Sequence, residues 1–255
     1  MKNLVLEREN IKELLIEKAK SDKSIISAVI FGSASKNEED EWSDIDLGFR
    51  VSENTDIIEV CDSWTTFMKE KYTVSSTLDI YALGAIYRVF LLDSTLQIDL
   101  SFWPYDKFTI IGSSYIILFG EAIFIDTPPT DINRIIGMGW LYLLHARSSI
   151  ARCRYWQAQQ MLEELRNQIF MLKCNRLGVS YNKGKGIDYL PKNETEIISD
   201  YMPKNLSIDD LCKAFINLSE LYLHETKINC ENNFSKLNIP ISLMQNEIKM
   251  LLQNK

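Results

Sequence analysis

The chain has 255 residues, 46% hydrophobic and 25% charged, with 10 Gly, 6 Pro and a formal net charge of −7. That is enough chain for one large domain or two modest ones with cores of their own, and the composition excludes disordered, collagen-like and disulfide-scaffold proteins. Charge is uneven: residues 1–125 hold 12 Lys+Arg against 21 Asp+Glu, residues 126–255 hold 16 against 14. An acidic half with no basic stripe argues against a nucleic-acid partner.

In chain order, residues 7–20 read as an amphipathic helix, with Ile11, Leu14, Leu15, Lys18 and Ala19 at the 3.6-residue period. Ser27–Phe31 is a short apolar strand closed by Gly32-Ser33. A polar connection follows, with acids at Glu38, Glu39, Asp40 and Glu41 that read as a solvated loop. Asp44–Val51 alternates polar and apolar residues as a half-buried strand does. Residues 56–71 read as a helix. Thr77–Ala82, Tyr87–Leu92 and Leu96–Trp103 are strands, the last two joined by a turn at Asp93-Ser94-Thr95 and the third ended by Pro104. Tyr115–Ile125 is apolar and fits a strand or a short helix equally.

Asp126-Thr-Pro-Pro-Thr-Asp131 is the clearest punctuation, and the domain boundary is expected there, between residues 1–125 and 126–255. Beyond it, helices are expected over Ile132–Arg147, Trp156–Leu177 with Gly178 as cap, Ser207–Lys227 and Ile239–Leu252. Gly184-Lys185-Gly186 and Pro191 mark a loop, in which Lys183 and Lys185 are candidate triphosphate contacts.

No apolar run reaches the about 18 residues that span a bilayer, and the first ten residues are charged and lack an apolar signal core. Five scattered cysteines include no C-x-x-C pair. The expectation is a cytoplasmic protein without a membrane partner. The two histidines, His145 and His224, support neither a His-rich metal site nor a Ser-His-Asp triad, and His145 reads as a packing residue.

The chemistry is concentrated in Ile30-Phe-Gly-Ser-Ala-Ser-Lys36 and Trp42-Ser-Asp-Ile-Asp-Leu-Gly48. Gly32 lets backbone approach a bound group without a Cβ in the way, and Ser33 adds a hydroxyl and an amide suited to phosphate. Residues two apart on a strand share a face, so Asp44 and Asp46 project together while Ile45 and Leu47 face the core. Paired carboxylates of that kind suit Mg2+. In Leu96–Trp103 the same alternation sets Asp99 opposite Leu96, Ile98, Leu100 and Phe102. If that strand neighbours the Asp44–Asp46 strand, the three acids converge. Asp79 is the rival third carboxylate. Trp42, Trp103 and Trp156 are candidates for a pocket or for burial.

The Gly-Ser pair, the ten-residue gap, Asp-x-Asp and a later lone strand Asp resemble the polymerase-β-like nucleotidyltransferase superfamily. Leu96-Gln-Ile-Asp-Leu-Ser-Phe-Trp103 is similar to the antibiotic nucleotidyltransferases that modify aminoglycosides and lincosamides. A departure is Lys36 followed by four acids, where many relatives carry an Arg or a Gly-rich stretch. The resemblance implies an α+β fold, a mixed sheet with flanking helices, in a catalytic domain at 1–125, and a helical bundle at 126–255. It implies transfer of a nucleoside monophosphate, AMP first among the choices, from ATP or another NTP to a small-molecule hydroxyl, with pyrophosphate released. Phosphates would lie on Gly32-Ser33, and two Mg2+ ions on Asp44 and Asp46, with Asp99 as third ligand or as the base for the acceptor hydroxyl. Other outcomes the resemblance leaves open are modification of a protein partner, a toxin–antitoxin role, a binding protein without turnover, and a homodimer.

Overall fold

The computed structural model describes residues 2–111 and 114–253. The chain divides into two compact units, Met1–Pro128 and Pro129–Lys255. In the first, helix α1 (Lys2–Ser21) leads to strands β1 (Ile25–Ile30) and β2 (Ile45–Val51), helix α2 (Ile57–Lys71), and strands β3 (Val74–Ala82), β4 (Ala85–Leu92) and β5 (Gln97–Trp103). Three short strands follow: β6 (Thr109–Ile111), β7 (Ile116–Phe119) and β8 (Ile123–Ile125). Tyr115–Ile125 is therefore two strands, interrupted near Gly120.

A six-stranded sheet runs in the order β3-β4-β5-β2-β1-β7. Its central pair, β2 and β5, is parallel, and the other pairs are antiparallel. The sheet is thus mixed, with helices against it, as the α+β expectation required.

One face of the sheet carries the main core. Ile11, Leu15 and Ala19 of α1 and Val60, Trp64 and Met68 of α2 meet Leu47, Phe49, Ile98, Leu100 and Phe102 of β2 and β5. The Trp64 ring lies 4.5 Å from Phe49 and 5.7 Å from Phe102, centre to centre, and its indole N–H donates to Asp22 at 2.9 Å. Aromatic contacts of this kind set the seating of α2 on the sheet. Asp56 caps α2 by accepting from the Ile58 amide at 2.8 Å.

The opposite face is covered in part by a smaller cluster of Val29, Ala85, Trp103, Phe108 and Ile110. That cover buries Ser101 and Trp103, residues that alternation alone would have left facing water.

The second unit is helical: α3 (Ile132–Ala151), α4 (Tyr155–Arg176), α5 (Lys192–Tyr201), α6 (Ile208–Asn229) and α7 (Glu231–Gln253), with a 3-10 segment over Asn182–Tyr189. Asp131 and Ser207 cap α3 and α6 with side-chain oxygens. Gly178 follows the end of α4 in the left-handed region, and the Val179 amide reaches back to the Cys174 carbonyl.

Three expectations change here. α5 has a single fully inward residue, Ile198, too little apolar period to be seen. α7 begins at Glu231, well before Ile239, and runs through Pro240; the proline is exposed while Ile241, Met244 and Ile248 anchor the helix beyond it. His145 is exposed on α3, and is not a packing residue. Inside the unit Glu225, with no exposed surface, pairs with Lys173 and Arg176 at 3.1 Å each, and Glu194 of α5 joins both bases. This network ties α4, α5 and α6 together.

Candidate active site

The site lies on the sheet face turned away from α1 and α2. Ile45 and Leu47 on β2, and Ile98 and Leu100 on β5, alternate into the helix-covered core, so the residues between them share the other face. In the parallel register Asp46 stands opposite Asp99, and Gly48 opposite Ser101. Asp44 comes immediately before β2. One oxygen from each of Asp44, Asp46 and Asp99 lies within 4.8 Å of the others, and all three residues are half-buried. Three hard oxygen donors so placed fit an oxygen-preferring divalent cation. The structure therefore brings together the three acids that alternation selected.

The rival, Asp79, is elsewhere. It sits on the edge strand β3, on the other face, where the Arg88 guanidinium grips both its oxygens at 2.7 Å and also reaches Asp62 at 2.8 Å. That fork holds the Asp79 carboxyl below its ordinary value, against a smaller opposing effect of burial. Burial instead pushes the Asp99 carboxyl up; the Gln97 amide, donating at 2.9 Å, opposes this, and the Asp44 charge adds to it.

Gly32 closes the cluster from the β1 side. Its φ is +65°, and a Cβ there would fall 2.2 Å from the Asp46 Oδ2, so only glycine lets the loop lie against that carboxylate. The loop is braced locally: Ser35 donates its hydroxyl to the Gly32 carbonyl at 2.8 Å, and the Ser33 carbonyl accepts the amides of Lys36 and Glu38. Ser33 itself is half-buried beside it.

The acidic run is exposed at Glu38, Asp40 and Glu41, as a solvated loop requires, but Glu39 is half-buried and the run is tied to α1. Arg8 of α1 is 4% exposed, donates to the carbonyls of Asp40 and Ser43, and pairs with Glu39 at 3.4 Å. Lys12, one turn on, holds Glu39 at 2.8 Å and Glu9 at 2.9 Å. This clamp ends at the residue before Asp44 and so fixes where the first acid enters the site. Periodicity had marked α1 only as a core helix; a pairing across about thirty residues leaves no local signal.

A cavity of about 260 Å3 opens beside Asp46 and Asp99, and Trp103 forms part of its wall. Trp42 is 78% exposed and borders a smaller cleft next to Asp44, while Trp156 is 77% exposed on α4. Lys183 and Lys185 are exposed on the 3-10 segment of the second unit, and the carboxylate cluster is complete without them. Arg147 pairs with Glu247 at 2.9 Å. Among the described residues no helix is long and apolar enough to cross a membrane.

Residues 10–93 match the family model described as Polymerase beta, Nucleotidyltransferase. No curated protein matches the chain. Two solved structures are similar at low level. An aminoglycoside 6-adenyltransferase from Bacillus subtilis has 15% identity over 93% of this chain and 98% of that one, with a TM-score of 0.43. A GLD-2/RNP-8 complex has 10% identity over 88% of this chain and 80% of that one, with a TM-score of 0.32. The family match spans β1, the Gly32 loop, Asp44 and Asp46, and by it the first unit is a nucleotidyltransferase domain of the polymerase-β type, with nucleotidyl transfer as its class of reaction.

Proposed function

We propose that this chain transfers a nucleoside monophosphate, AMP in the leading case, from an NTP to the hydroxyl of a small molecule. The observation that carries the reading is the meeting of Asp44, Asp46 and Asp99 across the β2–β5 pair. Asp44, Asp46 and Asp99 would hold Mg2+, two ions in the leading case. Bound there, magnesium offsets charge developing on the transferred phosphoryl group and on the departing pyrophosphate. The Gly32-Ser33 loop, lying against Asp46, would offer its backbone and the Ser33 hydroxyl to the triphosphate. Lys183 and Lys185 are further candidates for its charge.

Asp99, part-buried beside Asp44, completes the carboxylate set or receives the acceptor proton. The acid-rich first unit opposes a polynucleotide acceptor. Aminoglycosides and lincosamides enter as trial acceptors through the sequence resemblance of Leu96–Trp103.

The test is pyrophosphate release from ATP or GTP with Mg2+, against a panel of both antibiotic classes, beside the Asp44→Asn/Asp46→Asn double variant. Acceptor-dependent release that disappears in the variant is the expected result. Release that persists in the variant, or failure of Mg2+·ATP to bind the parent protein, would sink the reading.

A further inference from the structure

The cavity beside Asp46 and Asp99 has an unusual wall for a site thought to receive a polyamine sugar. Phe31, Leu83, Tyr87, Trp103 and Ile111 line it, with Ser101 and Thr109 as its neutral polar residues among the described ones. Ser101 is already engaged: its oxygen accepts the Trp103 indole N–H at 3.0 Å, and its hydroxyl faces the Leu47 carbonyl at 3.3 Å. The Tyr87 ring stands edge-on to Trp103, 5.7 Å between centres. The wall is thus aromatic at Phe31, Tyr87 and Trp103 and aliphatic at Leu83 and Ile111, the last two 65% and 48% exposed.

The register extends this apolar character across the same face. Leu78, Val89, Asp99 and Asp46 form one cross-strand row; Ile80, Tyr87, Ser101 and Gly48 form the next. Leu78 and Ile80 are 60% and 48% exposed. Each row thus passes from the acids, or their immediate neighbour, to bare aliphatic side chains at the sheet edge. An acceptor bearing several ammonium groups needs a carboxylate for each. The acid nearest along the sheet, Asp79, is turned to the other face and held by Arg88.

The third observation is a strained residue. The β3–β4 turn is Leu83-Gly84, with φ of 55° and 81°. Two left-handed residues suit a two-residue hairpin turn, but the first position favours Asn, Asp or Gly, and a leucine there is an outlier. Strain of this kind persists only where the surrounding structure holds it, and it collects at active sites and ligand clamps. Here that side chain is on the cavity wall.

We propose that the cavity receives the body of the acceptor, that this body is apolar and ring-bearing with its hydroxyl presented to Asp46 and Asp99, and that Leu83 is a specificity-determining residue for it. The inference rests on the nucleotidyl-transfer reading and narrows its acceptor. The acceptor oxygen forms the new bond to the α-phosphorus, the bond to pyrophosphate breaks, and the hydroxyl proton leaves to a carboxylate or water. At about 260 Å3, below the about 300–1,000 Å3 of drug-sized sites, the cavity takes one ring rather than a whole large ligand.

The experiment uses 4-fluorobenzyl alcohol as probe, followed by fluorine NMR line broadening on the full chain. Mg2+ is present throughout, and spectra are taken before and after saturation with the unreactive α,β-methylene analogue of ATP. Broadening is expected with the parent protein. In Leu83→Asn it weakens by about threefold to tenfold, the worth of one partly covered leucine contact. Asn is at home in the left-handed region, so the variant keeps or raises the melting temperature and a folding defect does not mimic the effect. 2-Deoxystreptamine, a small diamino polyol, should not displace the probe.

Three results would each overturn the inference: equal binding by Leu83→Asn, displacement by 2-deoxystreptamine, or loss of the probe when the ATP analogue is added, which would make the cavity a nucleobase site. All three leave nucleotide binding intact. Absence of analogue binding to the parent would instead remove the nucleotidyl-transfer reading, and the inference with it.

Discussion

Arg8 is the residue whose removal tests how the first acid is placed. In Arg8→Ala the Asp40 and Ser43 carbonyls lose a charged donor, and Glu39 loses one of its two bases. A hydrogen bond made by a charged group contributes about 1.5–3 kcal/mol, and here the donor Arg8 is 4% exposed although Asp40 itself is an exposed residue. The Asp40 bond counts towards that range. The Ser43 bond, at 3.4 Å, counts for little, and Glu39 keeps Lys12 at 2.8 Å and is 20% exposed. The expected loss is about 2 kcal/mol. For a unit of this size that lowers the melting temperature by about 4–8 °C. Arg8→Lys should recover less than half, since one ammonium cannot span two carbonyls and a carboxylate.

Thermal scans followed by circular dichroism give the stability, and Mg2+ titrations of pyrophosphate release give the site. The Mg2+ requirement should rise in Arg8→Ala even at temperatures where the protein is folded, because the connection into Asp44 is loosened. A change within about 0.5 kcal/mol, typical of an ordinary surface position, or full recovery by lysine, would refute the clamp.

Gly32→Ala should raise the Mg2+ concentration needed for activity severalfold while costing only about 1–2 kcal/mol of stability, because the new methyl displaces the Asp46 carboxylate; an unchanged Mg2+ dependence in an activity titration contradicts it. Asp79 is held ionised by Arg88. Its contribution to stability is complete above the unfolded carboxyl value of about 3.9 and fades as pH falls through the lower folded value. Urea denaturation of Asp79→Asn across the acid range should therefore show a flatter pH dependence than the parent, and parallel curves would count against it. Glu225→Gln leaves Lys173, 4% exposed, with Glu194 as its remaining acid. A loss of about 2–4 kcal/mol in guanidinium denaturation is expected, and a neutral result would mean that Glu194 alone satisfies both bases.

Much of the site could be read from alternation. A strand's two-residue period is local, so Ile45-Asp46-Leu47 and Ile98-Asp99-Leu100 each declared a core face and a free face before any pairing was known. Only the adjacency of the two strands had to come from the fold. Asp79 had the same local pattern on a shorter and less regular apolar run, which favoured Asp99; that it lies on the other face, against Arg88 of the neighbouring strand, had to come from the strand register. The Arg8–Lys12 clamp and the burial of Ser101 were hidden for a like reason: each depends on an element distant in sequence arriving on that surface. Helix ends were legible where a cap was present, as at Asp56 and Ser207. They failed at Pro240, where anchoring residues beyond the proline outweigh one missing hydrogen bond.

The parallel pairing of β2 with β5 has a consequence for the newborn chain. Between the two strands lie α2 and the whole β3–β4 hairpin, and contacts that close so long an excursion form late. Asp46 therefore waits for Asp99 until Trp103 has cleared the ribosome. A truncated product ending between β2 and β5 carries the Gly-Ser loop and the first two acids but no third. A half-made chain can hold its signature residues and remain chemically silent.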